Sequence, residues 1–228
     1  MRNRLFVLVL LGFLAIGLPM TVAALGIDVE AKAGAGIGLG ATDNPSITGA
    51  ARFAAGGGVG VDLYLLTIGS INLGVSVGAE YSYLTFHSVW SNFQFPGEDQ
   101  TTDATYNYID VPIALVASMP ISSSIRLVVR GGAFIGYFLS GSANNTYSLP
   151  AIPNNTTTLD SSNTIQMEYG LHFTAGTDIA LGGSLSIAPA LQFDMGLSDT
   201  TVNGPIVGNF NDRIWGLTLM VGIKYKVM

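Results

Sequence analysis

The stretch GIDVEAKAGAGIGLG, Gly26 to Gly40, alternates polar and apolar residues along its first half. Asp28, Glu30 and Lys32 occupy every second position, and aliphatic side chains fill the positions between them. A period of two is the period of a β-strand whose two faces meet different surroundings. The stretch therefore predicts a strand with one polar face and one apolar face.

The composition of the whole chain limits where such strands can lie. Of the 228 residues, 49% are hydrophobic and only 11% are charged, whereas an average soluble domain has about 25% charged residues. So few charges do not cover a water-exposed surface of ordinary size. The chain has no cysteine, which excludes a disulfide framework, a cysteine metal site and a lipid anchor on cysteine.

The first 24 residues have the pattern of an export signal. Two arginines precede an apolar run from Leu5 to Leu18, and small residues follow up to Ala24. This order is typical of a cleaved signal peptide, and an uncleaved membrane anchor is the alternative. Removal of residues 1–24 leaves one predicted domain over residues 25–228. That domain has no other apolar run long enough for a transmembrane helix.

The alternation of the opening stretch recurs along the chain, and no helical period lies between its occurrences. Pro112 and Pro189 fall inside two of the segments, where each removes a ladder donor, so a bulge or a local break is expected at both. The eight predicted strands are Ile27–Leu39, Ala51–Leu66, Ile71–Phe86, Thr105–Ser118, Ile125–Leu139, Met167–Ala180, Leu185–Leu197 and Arg213–Val227.

All charges within the predicted strands lie in the polar phase. The remaining charges of the exported chain lie between strands or at the first residue of a strand. A surface that faces lipid enforces such an exclusion, because a charge at mid-bilayer on a barrel costs about 2–4 kcal/mol. The polar phase then faces the lumen of a barrel. The predicted lumen charge network is Asp28, Glu30, Lys32, Arg52, Asp62, Glu80, Asp110, Arg126, Arg130, Glu168, Asp178, Asp194, Lys224 and Lys226.

A soluble sandwich or a lipocalin-like barrel, with the apolar phase inside, is the structural alternative. It would place the many glycines of the polar phase, such as Gly34, Gly58 and Gly136, on a water-facing exterior with wide gaps between charges. Inside a narrow barrel the same glycines leave room for long ionic side chains and allow curvature. The apolar-out arrangement is therefore preferred.

Long and short connections alternate between the predicted strands. The long ones lie near residues 40–50, 87–104, 140–166 and 198–212. An even number of strands with this alternation is typical of outer-membrane barrels, whose long loops are extracellular and whose turns are periplasmic. The sequence thus predicts an all-β fold, an eight-stranded antiparallel up-and-down transmembrane β-barrel in the cell outer membrane, with both termini in the periplasm.

Aromatic residues of the apolar phase lie near the ends of the predicted strands. Such side chains mark the two membrane interfaces of a barrel. The predicted aromatic belt consists of Phe53, Tyr81, Tyr83, Tyr137, Tyr169 and Trp215 at the outer interface and Tyr225 at the inner interface.

The second half of the chain resembles a family of small outer-membrane barrels. The PorT-like outer-membrane β-barrel domain has a strand, turn and strand similar to YIDVPIALVASMPISSSIRLVVRGGAFIGYFLSG, Tyr108–Gly141, and its next hairpin resembles YGLHFTAGTDIALGGSLSIAPALQFDMGLSD, Tyr169–Asp199. Gly222, Tyr225 and Val227 resemble the signal that the barrel-assembly machinery recognises. The resemblance implies an eight-stranded barrel of the OmpA/OmpX type that meets this machinery during biogenesis, and it transfers no catalytic residue.

The first and last strands are neighbours in a closed barrel. Ion pairs are therefore expected between the charges of the first strand and Lys224 and Lys226 of the last strand, and between Arg126 and Asp178 on two other neighbours. An eight-stranded barrel has an interior just wide enough for side chains. The lumen charges are expected to fill it as a polar plug.

Three functions agree with this architecture. The preferred one is a barrel with a plugged lumen and a structural or surface-interaction role through its acidic loops. The alternative is a narrow, weakly cation-preferring pore for small solutes. The third is a lipid-modifying membrane enzyme, whose titratable candidates are His87, next to Ser88, and His172. We expect no enzyme, no catalytic residue, no metal site and no cofactor, because no nucleophile and orienting carboxylate can be assigned to either histidine.

The expected partners follow from the surface. Outer-membrane lipids contact the apolar phase, and an extracellular protein or host partner is a candidate at the loops. The long loops carry seven acids against Arg213 alone, which disfavours nucleic acid as a partner.

Overall fold

The computed structural model describes residues 26–42, 45–91, 96–149, 152–160, 164–198 and 212–227. The predicted signal peptide lies outside these residues. None of the described residues belongs to a helix long and apolar enough to cross a membrane. The strands are β1 Gly26–Thr42, β2 Ile47–Ile68, β3 Ile71–Ser91, β4 Asp99–Pro120, β5 Ile125–Tyr147, β6 Asn155–Leu159, β7 Met167–Gly182, β8 Leu185–Gly196 and β9 Asp212–Lys226.

Eight of the nine strands form a closed antiparallel ring. β1 pairs with β9, β4 pairs with β5, and the short β6 extends the sheet beside the last residues of β5. A row of paired residues that starts at Asp28 crosses every strand of the ring and returns to β1 at Gly38, ten residues further along. This stagger on eight strands tilts them by about 40° from the barrel axis. The predicted eight-stranded up-and-down barrel is confirmed.

The two ends of the ring differ in their connections. At one end, here the terminal end, Gly26 and Lys226 lie together with the tight turns that join β2 to β3 and β7 to β8. Gly69 (φ 61°) and Gly183 (φ 59°) adopt the left-handed conformation in these turns, which glycine reaches without a steric penalty. The longer connections lie at the opposite end, here the loop end.

The outward face of β9 has the length of a membrane-spanning strand. Trp215 and Tyr225 lie on this face ten residues apart, and the outward side chains between them, including Leu219 and Ile223, are apolar and exposed. At about 3.3 Å per residue and a tilt of about 40°, ten residues cover about 25 Å along the barrel axis. The apolar band of outer-membrane barrels has this height.

The other predicted belt residues lie on the same outward surface. Phe53, Tyr81, Tyr137 and Tyr169 are each between 43% and 59% exposed. Buried lumen residues alternate with them along the strands, as Tyr108 does beside the outward Ile109. The sidedness of the strands is therefore apolar-out, and the soluble alternative with an apolar interior does not describe this ring.

Three of the predicted long loops are shorter than expected, because the strands continue past the aromatic belt. β3 ends at Ser91 and β4 begins at Asp99, so most of the predicted loop 87–104 is strand. β5 likewise continues to Tyr147 and turns back into β6, within the predicted loop 140–166. The predicted loop 40–50 shrinks to a short connection for the same reason.

The parts of β2, β3, β4 and β5 that lie past the aromatic belt, together with β6, are here called the extension. Polar side chains connect its strands. Asn145 accepts hydrogen bonds from Thr102 (2.8 Å) and Gln100 (3.0 Å) of the neighbouring strand, and donates one to Asn155 of β6 (2.9 Å). Both faces of such a segment are polar, so its sequence lacks the alternation that identifies a half-buried strand. This is why the sequence pattern predicted a loop here.

The ladder is interrupted beside both strand prolines. The β3–β4 pairing has a gap next to Pro112, and the β7–β8 pairing has one next to Pro189, with the same register before and after each gap. A proline has no N–H to donate to the ladder. The local break that was expected at these residues is present, without a bulge.

The seam between β1 and β9 depends on glycine. A Cβ on Gly36 would overlap the carbonyl oxygen of Leu217 and lie 2.7 Å from Cα of Thr218, both in β9. A Cβ on Gly60, in β2, would meet nothing nearer than 3.6 Å. Backbone atoms of a paired strand cannot move aside without lengthening ladder hydrogen bonds, so only the first position requires glycine.

We therefore expect Gly36→Ala to destabilise the barrel by about 1–3 kcal/mol, the usual cost of overpacking, and Gly60→Ala to leave its stability nearly unchanged. The measurement is the urea midpoint of the detergent-refolded chain, read from the folded and unfolded bands on a gel of unboiled samples. Equal midpoints for the two variants would contradict the close β1–β9 approach.

Candidate functional site in the barrel lumen

Most of the predicted lumen charges point into the ring, and they are distributed unevenly along it. The half of the lumen nearer the terminal end, here the terminal half, contains Arg126, Arg130 and Lys224. Lys32 is the remaining base and lies nearer the middle of the lumen. The lumen-facing charged residues are Asp28, Glu30, Lys32, Asp62, Glu80, Asp110, Arg126, Arg130, Glu168, Asp178, Asp194 and Lys224.

Arg130 is the centre of an ion-pair network on the terminal half. Its guanidinium donates two hydrogen bonds to Asp62, at 3.0 and 2.7 Å, and a third to Glu30 at 2.6 Å. Lys224 lies 3.3 Å from Asp62 and 3.1 Å from Asp178. All five side chains are more than 90% buried. Such charge-assisted, multidentate contacts satisfy several buried lone pairs at once.

Arg126 closes this network at the mouth of the terminal end. It donates to Asp178 at 3.0 and 2.6 Å, the pair expected from the sequence, and it also donates to Asp28. Its guanidinium lies 5.4 Å from the ring centre of Tyr64, within the range of a cation–π contact. The ion-pair network thus consists of Arg126, Arg130, Lys224, Asp28, Glu30, Asp62 and Asp178.

The expected pairing between the first and last strands differs in detail. Lys224 lies 3.7 Å from Glu30, but Asp28 binds Arg126 across the lumen instead of a lysine of β9. Lys226 is exposed and lines the mouth of the terminal end. In a narrow lumen, long side chains reach the opposite wall, so cross-lumen pairs compete with pairs between neighbouring strands.

On the loop-end side of the ion-pair network, Lys32 belongs to a second group of hydrogen-bonded polar side chains. Its ammonium lies 2.7 Å from Glu80 and donates to Gln192 at 2.8 Å. The Gln192 amide donates in turn to Glu80 (2.9 Å) and to Asp194 (2.8 Å). The amide of Gln192 therefore bridges two carboxylates that would otherwise repel each other.

His172 lies at the end of this group. Its Nδ1 is 2.6 Å from Asp194, and its Nε2 is 3.1 Å from the hydroxyl of Thr174. His172 and Thr174 are both buried, at 3% exposure each. The imidazole thus joins two strands through neighbouring side chains.

An aromatic cluster fills the lumen at the loop end. Tyr106 and Tyr108 stack with ring centres 6.2 Å apart, and the ring of Phe138 meets Tyr108 edge-on at 5.6 Å. Tyr108 is fully buried. The aromatic cluster is defined by Ala104, Tyr106, Tyr108, Phe138, Leu159 and Ile214.

The sequence interpretation did not include this cluster, although its signal is present. Tyr106 and Tyr108 share the polar phase of their strand with Asp110, and Phe138 shares that of Arg130. Large apolar residues in the lumen phase, all near the same end of the barrel, indicate an apolar plug. The prediction of a plug that is polar throughout was wrong, because it followed from the positions of the charged residues alone.

Arg52 is not part of the lumen network. A β-bulge between Ala51 and Ala54 places two residues of β2 opposite one residue of β3, which reverses the facing of the residues beyond it. Arg52 consequently lies 3.6 Å from Asp103 on the outside of the extension, and both side chains are about half exposed. The prediction for Arg52 was wrong because periodicity cannot locate a bulge.

The family described as outer membrane protein beta-barrel domain matches residues 23–202 of the chain. The chain belongs to this family. As a member it is an outer-membrane β-barrel protein, in agreement with the closed ring and its apolar outer band.

Solved structures of outer-membrane barrels are similar in fold. OprG from Pseudomonas aeruginosa is 13% identical, with 88% of this chain and 95% of that chain covered and a TM-score of 0.50. Neisserial surface protein A is 10% identical over 90% of this barrel and 97% of that chain, with a TM-score of 0.38. Ail from Yersinia pestis is 12% identical, with 88% of this chain and 99% of that chain covered and a TM-score of 0.36. No curated protein sequence matches the chain significantly.

The second predicted histidine lies outside the lumen of this outer-membrane barrel. His87 is on β3, not in a loop, and its Nδ1 is 2.8 Å from Asp103 on the outer face of the extension. Ser88 follows it on the same strand and therefore points to the opposite face. The proposed pairing of His87 with Ser88 does not form.

Removal of Arg130 tests the ion-pair network. Arg130→Ala leaves the buried carboxylates of Glu30 and Asp62 with fewer partners, and we expect a loss of about 3–5 kcal/mol in the free energy of unfolding. Arg52→Ala, the matched control, removes an exposed pair and is expected to cost less than about 1 kcal/mol. Urea midpoints of the refolded barrels measure both values. An Arg130→Ala midpoint equal to that of Arg52→Ala would contradict a buried network.

Proposed function

We propose that this protein is a non-conducting outer-membrane barrel that acts through its surface-exposed end. The observation that carries the proposal is the presence of two plugs in series along the lumen. The ion-pair network around Arg130 fills the terminal half, and the aromatic cluster around Tyr108 fills the loop end. An ion or solute would have to disrupt a charged network and an apolar cluster in one passage.

The proposed orientation places the loop end outside the cell and both termini in the periplasm. The tight turns that contain Gly69 and Gly183 lie at the same end as the termini, and outer-membrane barrels have their short turns on the periplasmic side. The narrower resemblance to PorT-like barrels rests on Tyr108–Gly141, which forms parts of β4 and β5 with their tight turn.

The surface role is supported by the extension of β2 to β6 past the aromatic belt. The extension is a paired sheet and not a set of long loops, so it presents side chains from a preorganised backbone. Asp103 is 56% exposed on its outer face, beside Arg52 and His87. The acidic loops favour a protein partner over a nucleic acid.

We assign no enzymatic reaction to this barrel. Thr174, His172 and Asp194 form a hydroxyl, imidazole and carboxylate chain, which has the order of groups found in hydrolases. However, Thr174 and His172 are buried between the two plugs. At 3% exposure Thr174 presents almost no surface to a substrate, which favours interpreting the chain as a structural hydrogen-bond network.

Conductance in a planar bilayer tests the closed lumen. The wild-type barrel is expected to give no discrete current steps. Arg130→Ala combined with Asp62→Ala, and separately Tyr108→Ala combined with Phe138→Ala, are expected to stay silent, because each pair of substitutions leaves the other plug in place. The barrel with all four substitutions is expected to conduct, which shows that the assay detects an open lumen. Cation-selective steps in the wild type would overturn the proposal and favour the small-solute pore.

Epitope tags on cells test the orientation. A tag inserted after Pro153, in the β5–β6 connection, is expected to be stained on intact cells. A tag inserted after Gly69, in the β2–β3 turn, is expected to be stained only after the outer membrane is permeabilised. The opposite pattern would place the extension of β2 to β6 in the periplasm and remove the basis for a surface role.

A further inference from the structure

The lumen between the two plugs is a chamber with an excess of acids. Glu80 is bound by Lys32, and Asp194 lies against His172. The arginines and Lys224 are bound to acids of the terminal half. Among the residues that the structure describes, no basic side chain remains for the other two acids of the chamber, Asp110 and Glu168.

Glu168 is a buried carboxylate that has no partner among the described residues. It is 5% exposed, and within the described part of the chain no hydrogen bond or ion pair reaches it. Asp110 has one carboxylate oxygen with a partner and one without. Its Oδ2 accepts from the hydroxyl of Ser82, and its Oδ1 is buried with no hydrogen-bond donor among the described residues. Both side chains line one cavity of about 30 Å³.

Gly136 brings these two carboxylates together. It lies between Asp110 and Glu168 in one row of the sheet. The Oδ1 of Asp110 is 2.5 Å, and the Oε1 of Glu168 is 2.9 Å, from the point where a Cβ on Gly136 would sit. The two free oxygens therefore converge over the same glycine, where any larger residue would separate them.

Two uncompensated carboxylates that converge over one glycine destabilise the folded barrel. Like charges in a water-poor interior repel, and each also loses its hydration. Protonation offsets both terms, and so does a bound cation, which competes with protons when the carboxyl groups are ionised. Oxygen-only ligands suit hard cations, and Ca²⁺ accepts irregular geometry, whereas Mg²⁺ demands a near-ideal octahedron. A cavity of about 30 Å³ has room for an ion with one or two waters.

We propose that Asp110 and Glu168 bind one divalent cation in this chamber, with calcium as the best match. The described residues contain no set of three or more metal-ligating side chains around one point. The ion is therefore held by two carboxylates and completed by water, not enclosed by protein ligands. Because both ends of the lumen are plugged, the ion enters as the barrel closes during folding.

The site neutralises the middle of the lumen, where the protein itself supplies too few bases. The ion-pair network neutralises the terminal half with arginine and lysine side chains, and the bound cation does so in the chamber. A role in stability follows: the folded barrel is expected to be more stable when it has been refolded with calcium than when refolded with a chelator.

The test refolds the chain in detergent under alkaline conditions, which favour the ionised form of buried carboxyl groups, with EDTA or with saturating calcium chloride. Calcium is expected to raise the unfolding midpoint temperature by about 5 °C, as ligand binding to the folded state alone does. Magnesium is expected to give a smaller shift, and sodium chloride of equal ionic strength none.

Variants separate this site from general salt effects. Glu168→Gln and Asp110→Asn preserve shape, and we expect each to abolish the calcium shift and to be more stable than the wild type in EDTA, because the repulsion is gone. Asp103→Asn, which removes an exposed acid outside the lumen, is the matched control and is expected to keep the full shift.

Terbium luminescence supplies a direct readout. Tyr108 lies two residues from Asp110 on the same face of β4, so excitation of tyrosine is expected to sensitise Tb³⁺ in the chamber, with one ion per barrel. Calcium competition and loss of the signal in Glu168→Gln would support the proposal. A calcium shift of equal size in Glu168→Gln, or no shift and no terbium signal in the wild type, would overturn it.

Discussion

Backbone hydrogen bonding in lipid is the constraint on which the rest of this structure depends. A strand with an apolar outer face can cross a membrane only where its backbone N–H and C=O groups are paired, and a ring without edges pairs nearly all of them. The pairing of β1 with β9 is therefore the decisive contact, and glycines such as Gly36 permit it. Once eight strands close with this stagger, the lumen is so narrow that its walls must fill it with their own side chains.

Because ionic side chains fill much of the lumen, their buried charges must be compensated there. Long ionic residues fill the space between glycines, but each buried charge requires partners. Arg130 meets this requirement with three hydrogen bonds to two acids. The loop end uses a different solution, in which Tyr108 and Phe138 exclude water without any charge. The two solutions meet in a chamber around Glu168, where neither is complete.

The sequence determined the fold well because the lipid-facing and lumen-facing phases are chemically distinct. Asp28 and Glu30 revealed the period of two, and the absence of charge from the apolar phase revealed which face lies outside. What the sequence could not supply were interactions without a period. The bulge that turns Arg52 outward changes the count by one residue, and the extension around Asn145 pairs polar residues on both faces. Cross-lumen partners such as Asp28 and Arg126 depend on the stagger of the ring, which local pattern does not encode.

The stagger also explains why the acids of the chamber converge. In a tilted ring, residues at one height come from different positions along each strand, so a paired row climbs around the barrel. Asp110, Gly136 and Glu168 belong to one such row, and the absent side chain of Gly136 leaves their carboxylates facing each other. Arg130 lies six residues from Gly136 along β5, toward the terminal end, where Glu30 and Asp62 already bind it. A base held in that network cannot also neutralise the chamber. The charges of the lumen must therefore balance at each height along the barrel axis, and an equal total number of acids and bases would not be enough.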